Sequence, residues 1–191
     1  EQLQNLFDEI ETQDIDIVIK GEKEKTQQMA SELSLAFVVS LFLIFLVLLI
    51  NFNSFKMVFI IISVIPFSIL VALVGHFIMG INLTFPSLIG ILGLAGVVIN
   101  DGIVMLDFLK HVKNMEEFYA RVKLRVRPIL ITSLTTMIGL STLIFYPSGQ
   151  GVFLQPLAIS LGFGLLWGTI LNLFYLPVMF VLLHKLKKER S

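Results

Sequence analysis

From Met57 to Asn100, and again from Pro128 to His184, the chain contains no Asp, Glu, Lys or Arg. Charge-free runs of that length are too long for a soluble core. A bilayer accommodates them, because one spanning helix needs about 20 apolar residues to cross roughly 30 Å of hydrocarbon, and each run is long enough to cross twice. The chain is therefore read as an all-α membrane protein, and its few polar residues inside the spans become the candidates for function. Composition agrees, with 56% of residues hydrophobic and 15% charged. There is no cysteine, so disulfides and thiolate metal sites are excluded, and no metal site is expected.

Turn residues divide the apolar runs into a bundle of five spans, expected at about 33–50, 57–79, 86–106, 128–146 and 153–183. Asn51 to Ser54 ends the first, Gly80-Ile81-Asn82 the second, and Tyr146 to Gly151 separates the last two. Pro86 suits the first turn of the third span. Residues 107–127 are expected as a loop in which Met115, Phe118, Tyr119 and Val122, at i, i+3, i+4 and i+7, form a short helix on the membrane surface.

Lys and Arg set the orientation. Lys56, the loop residues Lys110, Lys113, Arg121, Lys123, Arg125 and Arg127, and Lys185, Lys187, Lys188 and Arg190 of the tail 185–191 fall on one side; the short loops after spans two and four have neither. The C-terminus is expected to be cytoplasmic. Anionic lipid headgroups suffice as partners for this charge, and no nucleic-acid partner is expected.

The N-terminal segment, residues 1–32, is then extracytoplasmic. It lacks the apolar core and cleavage site of a signal peptide and begins with Glu, so the chain is expected to be the C-terminal part of a longer membrane protein. Leu3, Leu6, Phe7 and Ile10 sit at helical spacing, and Ile15, Ile17 and Ile19 alternate with polar neighbours as in a half-buried strand. A short α/β segment, the edge of an extracytoplasmic domain, is expected there. Glu22 to Glu32 reads as a helix running into span one.

Asp101 is the carboxylate placed deepest in a span. Such a group costs a few kcal/mol in hydrocarbon, so it faces protein or water and often marks an ion path; the alternative places it in the cytoplasmic interface. Gly93, Gly96, Asn100 and Asp107 form one stripe of the third span, with Asp101 beside it, giving a small, polar face for a neighbouring helix. In span four, Thr132, Thr135, Thr136 and Gly139 share a face; their hydroxyls can serve a carboxylate on a neighbour, or bond the i−4 carbonyls of their own helix. Ser160, Gly164, Gly168 and Asn172 recur every four residues in span five, which permits close helix packing. His76 is expected at the outer interface.

Two segments carry a family resemblance. Gly96-Val97-Val98-Ile99-Asn100-Asp101-Gly102-Ile103-Val104-Met105-Leu106-Asp107-Phe108 resembles the tenth helix of resistance-nodulation-division (RND) efflux permeases. Arg125-Val126-Arg127-Pro128-Ile129-Leu130-Ile131-Thr132-Ser133-Leu134-Thr135-Thr136 is similar to their signature entering the eleventh, and Pro156 to Ile159 with Tyr175-Leu176-Pro177-Val178 to the twelfth. The resemblance implies the last five helices of a twelve-helix exporter of hydrophobic or amphiphilic compounds in a bacterial inner membrane. It implies energy from a proton gradient rather than a bound cofactor. It further implies partnership with the N-terminal membrane half, a homotrimer, and a periplasmic adaptor with an outer-membrane channel. By the same resemblance Asn100, Asp101, Thr132 and Arg125 belong to the proton pathway, with Asn100 standing where well-known multidrug members have Lys. A lipid- or sterol-sensing or protein-export relative in the same superfamily is the alternative. An intramembrane aspartyl protease would need a second facing carboxylate, and Asp107 lies about 120° away on the same helix.

Overall fold

The computed structural model describes residues 27–29 and 31–184, and the chain divides between Ser40 and Leu41 into two units. Helix α1 is Gln27–Phe52. In the first unit its hydroxyls bond locally, Ser31 Oγ to Gln28 O at 2.7 Å and Ser34 Oγ to Ser31 O at 2.8 Å. The expected helical approach to span one is present from Gln27. The helix and strand expected within 1–26 lie outside the described residues.

The second unit continues with α2 (Phe55–Met79), α3 (Phe85–Leu109), α4 (Met115–Phe145), α5 (Gly151–Ile170), a π-helical turn (Leu171–Tyr175) and α6 (Leu176–His184). Among the described residues five helical stretches are long and apolar enough to cross a membrane, the last running from Gly151 to Leu183 through the π turn. Each boundary has a local cause. Asn53, at φ 48°, takes the left-handed conformation between α1 and α2, a geometry Asn tolerates better than most side chains. Gly80, at φ 65°, ends α2 while its own N–H bonds Phe77 O and the Ile81 N–H bonds His76 O at 3.1 Å, capping otherwise free carbonyls. Thr84 caps α3 and Pro86 sits in its first turn. Asn114 Oδ1 accepts the Glu117 N–H at 2.9 Å to start α4.

One boundary differs from the sequence expectation. The amphipathic stretch from Met115 is no separate surface helix: it is the first part of α4, which continues through Pro128 for 31 residues. At 1.5 Å per residue α4 is about 46 Å long, well beyond the hydrocarbon thickness, so its basic first turns stand clear of the apolar layer. Glu116 and Glu117 occupy its first turn, where the helix dipole favours acids. The Lys113 N–H and the Arg121 guanidinium, the latter 2.6 Å away, hold the Glu117 carboxyl below the usual carboxylate range.

In lipid there is no hydrophobic drive between helices, so close packing and interhelical hydrogen bonds hold the bundle. The α3–α5 contact shows both. The two helices run parallel and meet in four-residue steps: Gly90 against Ser160, Leu94 against Gly164, Val98 against Gly168, and Gly102 against Asn172. A Cβ on Gly90 would stand 2.6 Å from the Leu157 carbonyl oxygen, which is backbone and cannot yield. The rows that mesh are i, i+4 rows on both helices, as in the commonest class of helix packing. Helix α5 also packs on α4, where Ser133 Oγ and Thr169 Oγ1 lie 2.7 Å apart in a buried hydrogen bond.

Candidate functional site

The register of α3 against α4 is fixed where the end of α3 meets the basic first turns of α4. The Arg125 guanidinium lies 3.7 Å above the centre of the Phe108 ring, and Arg121 Nη1 donates to Phe108 O at 3.0 Å. Such a cation–π stack is worth about 0.5–2 kcal/mol. Seven residues is close to two helical turns, so Asp101 shares the stripe of α3 that carries Phe108, and Thr132 shares the stripe of α4 that carries Arg125. The helices are antiparallel. Asp101 and Thr132 therefore stand at the same depth, about 10 Å beyond the stack.

Asp101 is half-buried, and its carboxylate makes no hydrogen bond or ion pair among the described residues. Asn100, Gly93, Gly96 and Asp107 are exposed, and a Cβ on Gly96 would meet nothing within 4 Å. Thr132 is exposed too. Its hydroxyl donates to Pro128 O at 2.8 Å, Thr135 Oγ1 to Ile131 O at 2.9 Å, and Thr136 Oγ1 to Thr132 O at 2.9 Å. These hydroxyls spend their hydrogens on their own helix and keep only lone pairs for a visitor. A protonated carboxyl, a water or a cation can be received there. Arg125 lies beyond these hydroxyls at the basic end of α4; its Nε is buried without a hydrogen-bond partner, and no carboxylate of the described residues pairs with its charge.

Of the residues singled out from sequence, Arg125 meets α3 through Phe108, and Asp101 and Thr132 lie two turns further along the same stripes of α3 and α4 at one depth, while Asn100 is on the exposed face. Ser160, Gly164 and Gly168 meet α3. Gly90 packs tightly on α5 and Gly102 on the π turn and α6; a Cβ on Gly93 would meet only the end of the Leu161 side chain of α5, at 3.8 Å, and one on Gly96 would meet nothing. His76 is buried rather than interfacial, with Nδ1 3.0 Å from Ala72 O and Nε2 2.9 Å from Ser87 Oγ. A carbonyl accepts only, so Nδ1 carries a hydrogen, and the pair ties α2 to the start of α3. Phe108 as a seat for Arg125 had no signal in the sequence beyond an aromatic residue near a basic loop. Asn172 was visible only as one step of a small-residue row.

An all-helical membrane bundle with a polar, incompletely covered helix face fits a membrane transporter, and comparison with known proteins specifies which. Residues 2–184 match the AcrB/AcrD/AcrF family, and the chain belongs to it, within the RND superfamily of bacterial efflux permeases. It is 31% identical over 167 residues to the swarming motility protein SwrC of Bacillus subtilis, covering 84% of this chain and 16% of SwrC. It is 30% identical over 171 residues to the cobalt-zinc-cadmium resistance protein CzcA of Cupriavidus metallidurans, covering 86% and 16%. The same identity, over 86% of the chain and 17% of the relative, relates it to the multidrug resistance protein MdtC of Edwardsiella ictaluri. The crystal structure of a heavy metal efflux pump superposes with a TM-score of 0.73 at 25% identity, over 85% of this chain and 16% of the pump. The chain spans about a sixth of the length of these relatives. They are transporters, not enzymes, which removes the protease alternative.

Proposed function

We propose that the chain is the C-terminal membrane portion of a proton-driven exporter of hydrophobic or amphiphilic compounds, with Asp101 as its proton-binding group. The observation that carries this reading is an unpaired carboxylate inside an apolar span, level with Thr132 and bounded by Arg125. A carboxylate so placed can take and release a proton reversibly, Thr132 can accept a hydrogen bond from its protonated form, and Arg125 shapes the potential without deprotonating. Asn100 cannot titrate; on the exposed face it can donate to and accept from a group on a further helix. That further helix belongs to the N-terminal half, which covers the exposed faces of α3 and α4. The working assembly is a homotrimer with its C-terminus cytoplasmic, joined by a periplasmic adaptor and an outer-membrane channel.

The test is Asp101→Asn in the full-length protein, with expression and trimer assembly measured separately. Export driven by an imposed pH gradient in vesicles, followed with an amphiphilic dye, is expected to fall at least about tenfold, an activation cost near 1.4 kcal/mol. Export with unchanged pH dependence would make Asp101 an interfacial residue. The CzcA and heavy-metal relatives motivate a second reading, in which the cargo is a divalent metal cation. Zinc-stimulated proton flux without dye export would select it.

A further inference from the structure

Asn172 is fully buried and sits in the π-helical turn Leu171–Tyr175 that interrupts the last span. Short π turns inside α-helices occur frequently at functional sites. The turn makes two bonds to other helices. Asn172 Nδ2 donates to Val98 O on α3 at 2.8 Å, and the Tyr175 hydroxyl lies 2.9 Å from Ser63 Oγ on α2. The atom facing a carbonyl oxygen must be the amide nitrogen, so Oδ1 points the other way, and it has no hydrogen-bond partner. A buried, unpaired amide oxygen is costly. The α3–α5 row could have continued with another small apolar residue at this step, and instead carries an amide that is only half satisfied.

Position explains what the amide does. Val98 O is the carbonyl whose helical partner is the N–H of Gly102, so Asn172 grips the one turn of α3 that contains Asn100 and Asp101. Gly102 leaves just enough room: a Cβ there would stand 3.4 Å from Asn172 Oδ1 and 3.1 Å from Leu176 Cδ1. We propose that Asn172 is a positioning residue for proton coupling, setting the rotation of the Val98–Gly102 turn and thereby the surroundings of the Asp101 carboxylate. This rests on the reading of Asp101 given above. Few charges compete for that control. Of the titratable groups on the packed elements, Arg125 on α4 lies about two turns away, with Arg127 on the exposed side of α4 and Glu116, Glu117, Tyr119, Arg121 and Lys123 nearer its start; Lys56 and His76 are at opposite ends of α2, Asp107 is on another face of α3, Tyr175 is in the π turn and His184 ends α6. Helix α5 contributes none.

The test reads the titration of Asp101 without transport. Purified full-length protein is treated with dicyclohexylcarbodiimide, which reacts with protonated carboxyl groups, across a pH series, and labelling of Asp101 is quantified by peptide mass spectrometry. Asn172→Ala removes the grip; Gly102→Ala keeps the amide but displaces it. Both are expected to move the labelling midpoint of Asp101 by about half a pH unit or more, with a cooperative thermal transition retained. One folded variant of the two suffices. An unchanged midpoint in a folded variant, or no labelling of Asp101 at any pH in the wild-type protein, would overturn the proposal. If Asp101→Asn leaves export intact while the midpoint still moves, the coupling role of Asp101 falls and the positioning by Asn172 stands.

Discussion

A glycine's environment, more than its spacing, decides what a substitution does. Gly90 faces a backbone carbonyl that cannot retreat, so Gly90→Ala is expected to lower stability by about 1–3 kcal/mol, the usual cost of overpacking. Gly96 faces open space in this chain. Gly96→Ala should therefore be silent in thermal unfolding of the chain by itself and costly in the full-length protein, where a further helix covers that face; equal melting shifts in both would leave the face bare. Thr132 allows a comparable separation of roles. Its hydroxyl is bonded to Pro128 O on its own exposed helix surface, so Thr132→Val should change stability by no more than about 0.5 kcal/mol while gradient-driven export falls. Unchanged export would confine that hydroxyl to its own backbone.

The elements were legible where the physics is one-dimensional. Charge-free runs gave the spans, and Gly80, Pro86 and the Tyr146–Gly151 turn gave ends within a few residues of those seen. Helix α4 shows where this stops: Pro128 reads equally well as a first-turn residue and as an interior one, and only the surrounding contacts distinguish them. The continuity of α4 has a direct check. Single cysteines across Met115–Ile131, labelled with a water-soluble maleimide, should show one unbroken 3.6-residue periodicity. A phase change at Pro128 would mean two helices. The site was legible in part for a related reason, since a helical period shows that Gly90, Gly93 and Gly96 lie along one side of α3 but not which of them finds a partner. The bond from Asn172 to Val98 needed the π turn, and nothing in the residues Leu171 to Tyr175 announces one.

For the whole molecule, the chain by itself is expected to be inert. Reconstituted into vesicles with an imposed pH gradient it should move no dye, because the faces carrying Asn100 and Thr132 lack a neighbour; saturable, gradient-dependent transport by the chain alone would refute its reading as a portion of a larger pump. In the full-length protein a cysteine at Ser148 should label from outside and one at Ser191 only after permeabilisation, and the reverse would overturn the orientation. Within the bundle the helices are held unequally. Helix α5 is locked to α3 over four successive steps, whereas α4 buries only Phe118, Ile129, Ser133 and Ile144. Its basic end is nonetheless tethered, since Arg121 and Arg125 both hold Phe108. Between the tether and Thr132 stands Pro128, which lacks the N–H that would bond Leu124 O, so bending there is cheaper than anywhere else along the helix. Helix α4 is thus held on both sides of its weakest point, by Phe108 before Pro128 and by Thr169 through Ser133 after it, and a bend there that carried Thr132 towards or away from Asp101 would have to break the Ser133–Thr169 hydrogen bond while Arg125 stayed where it is.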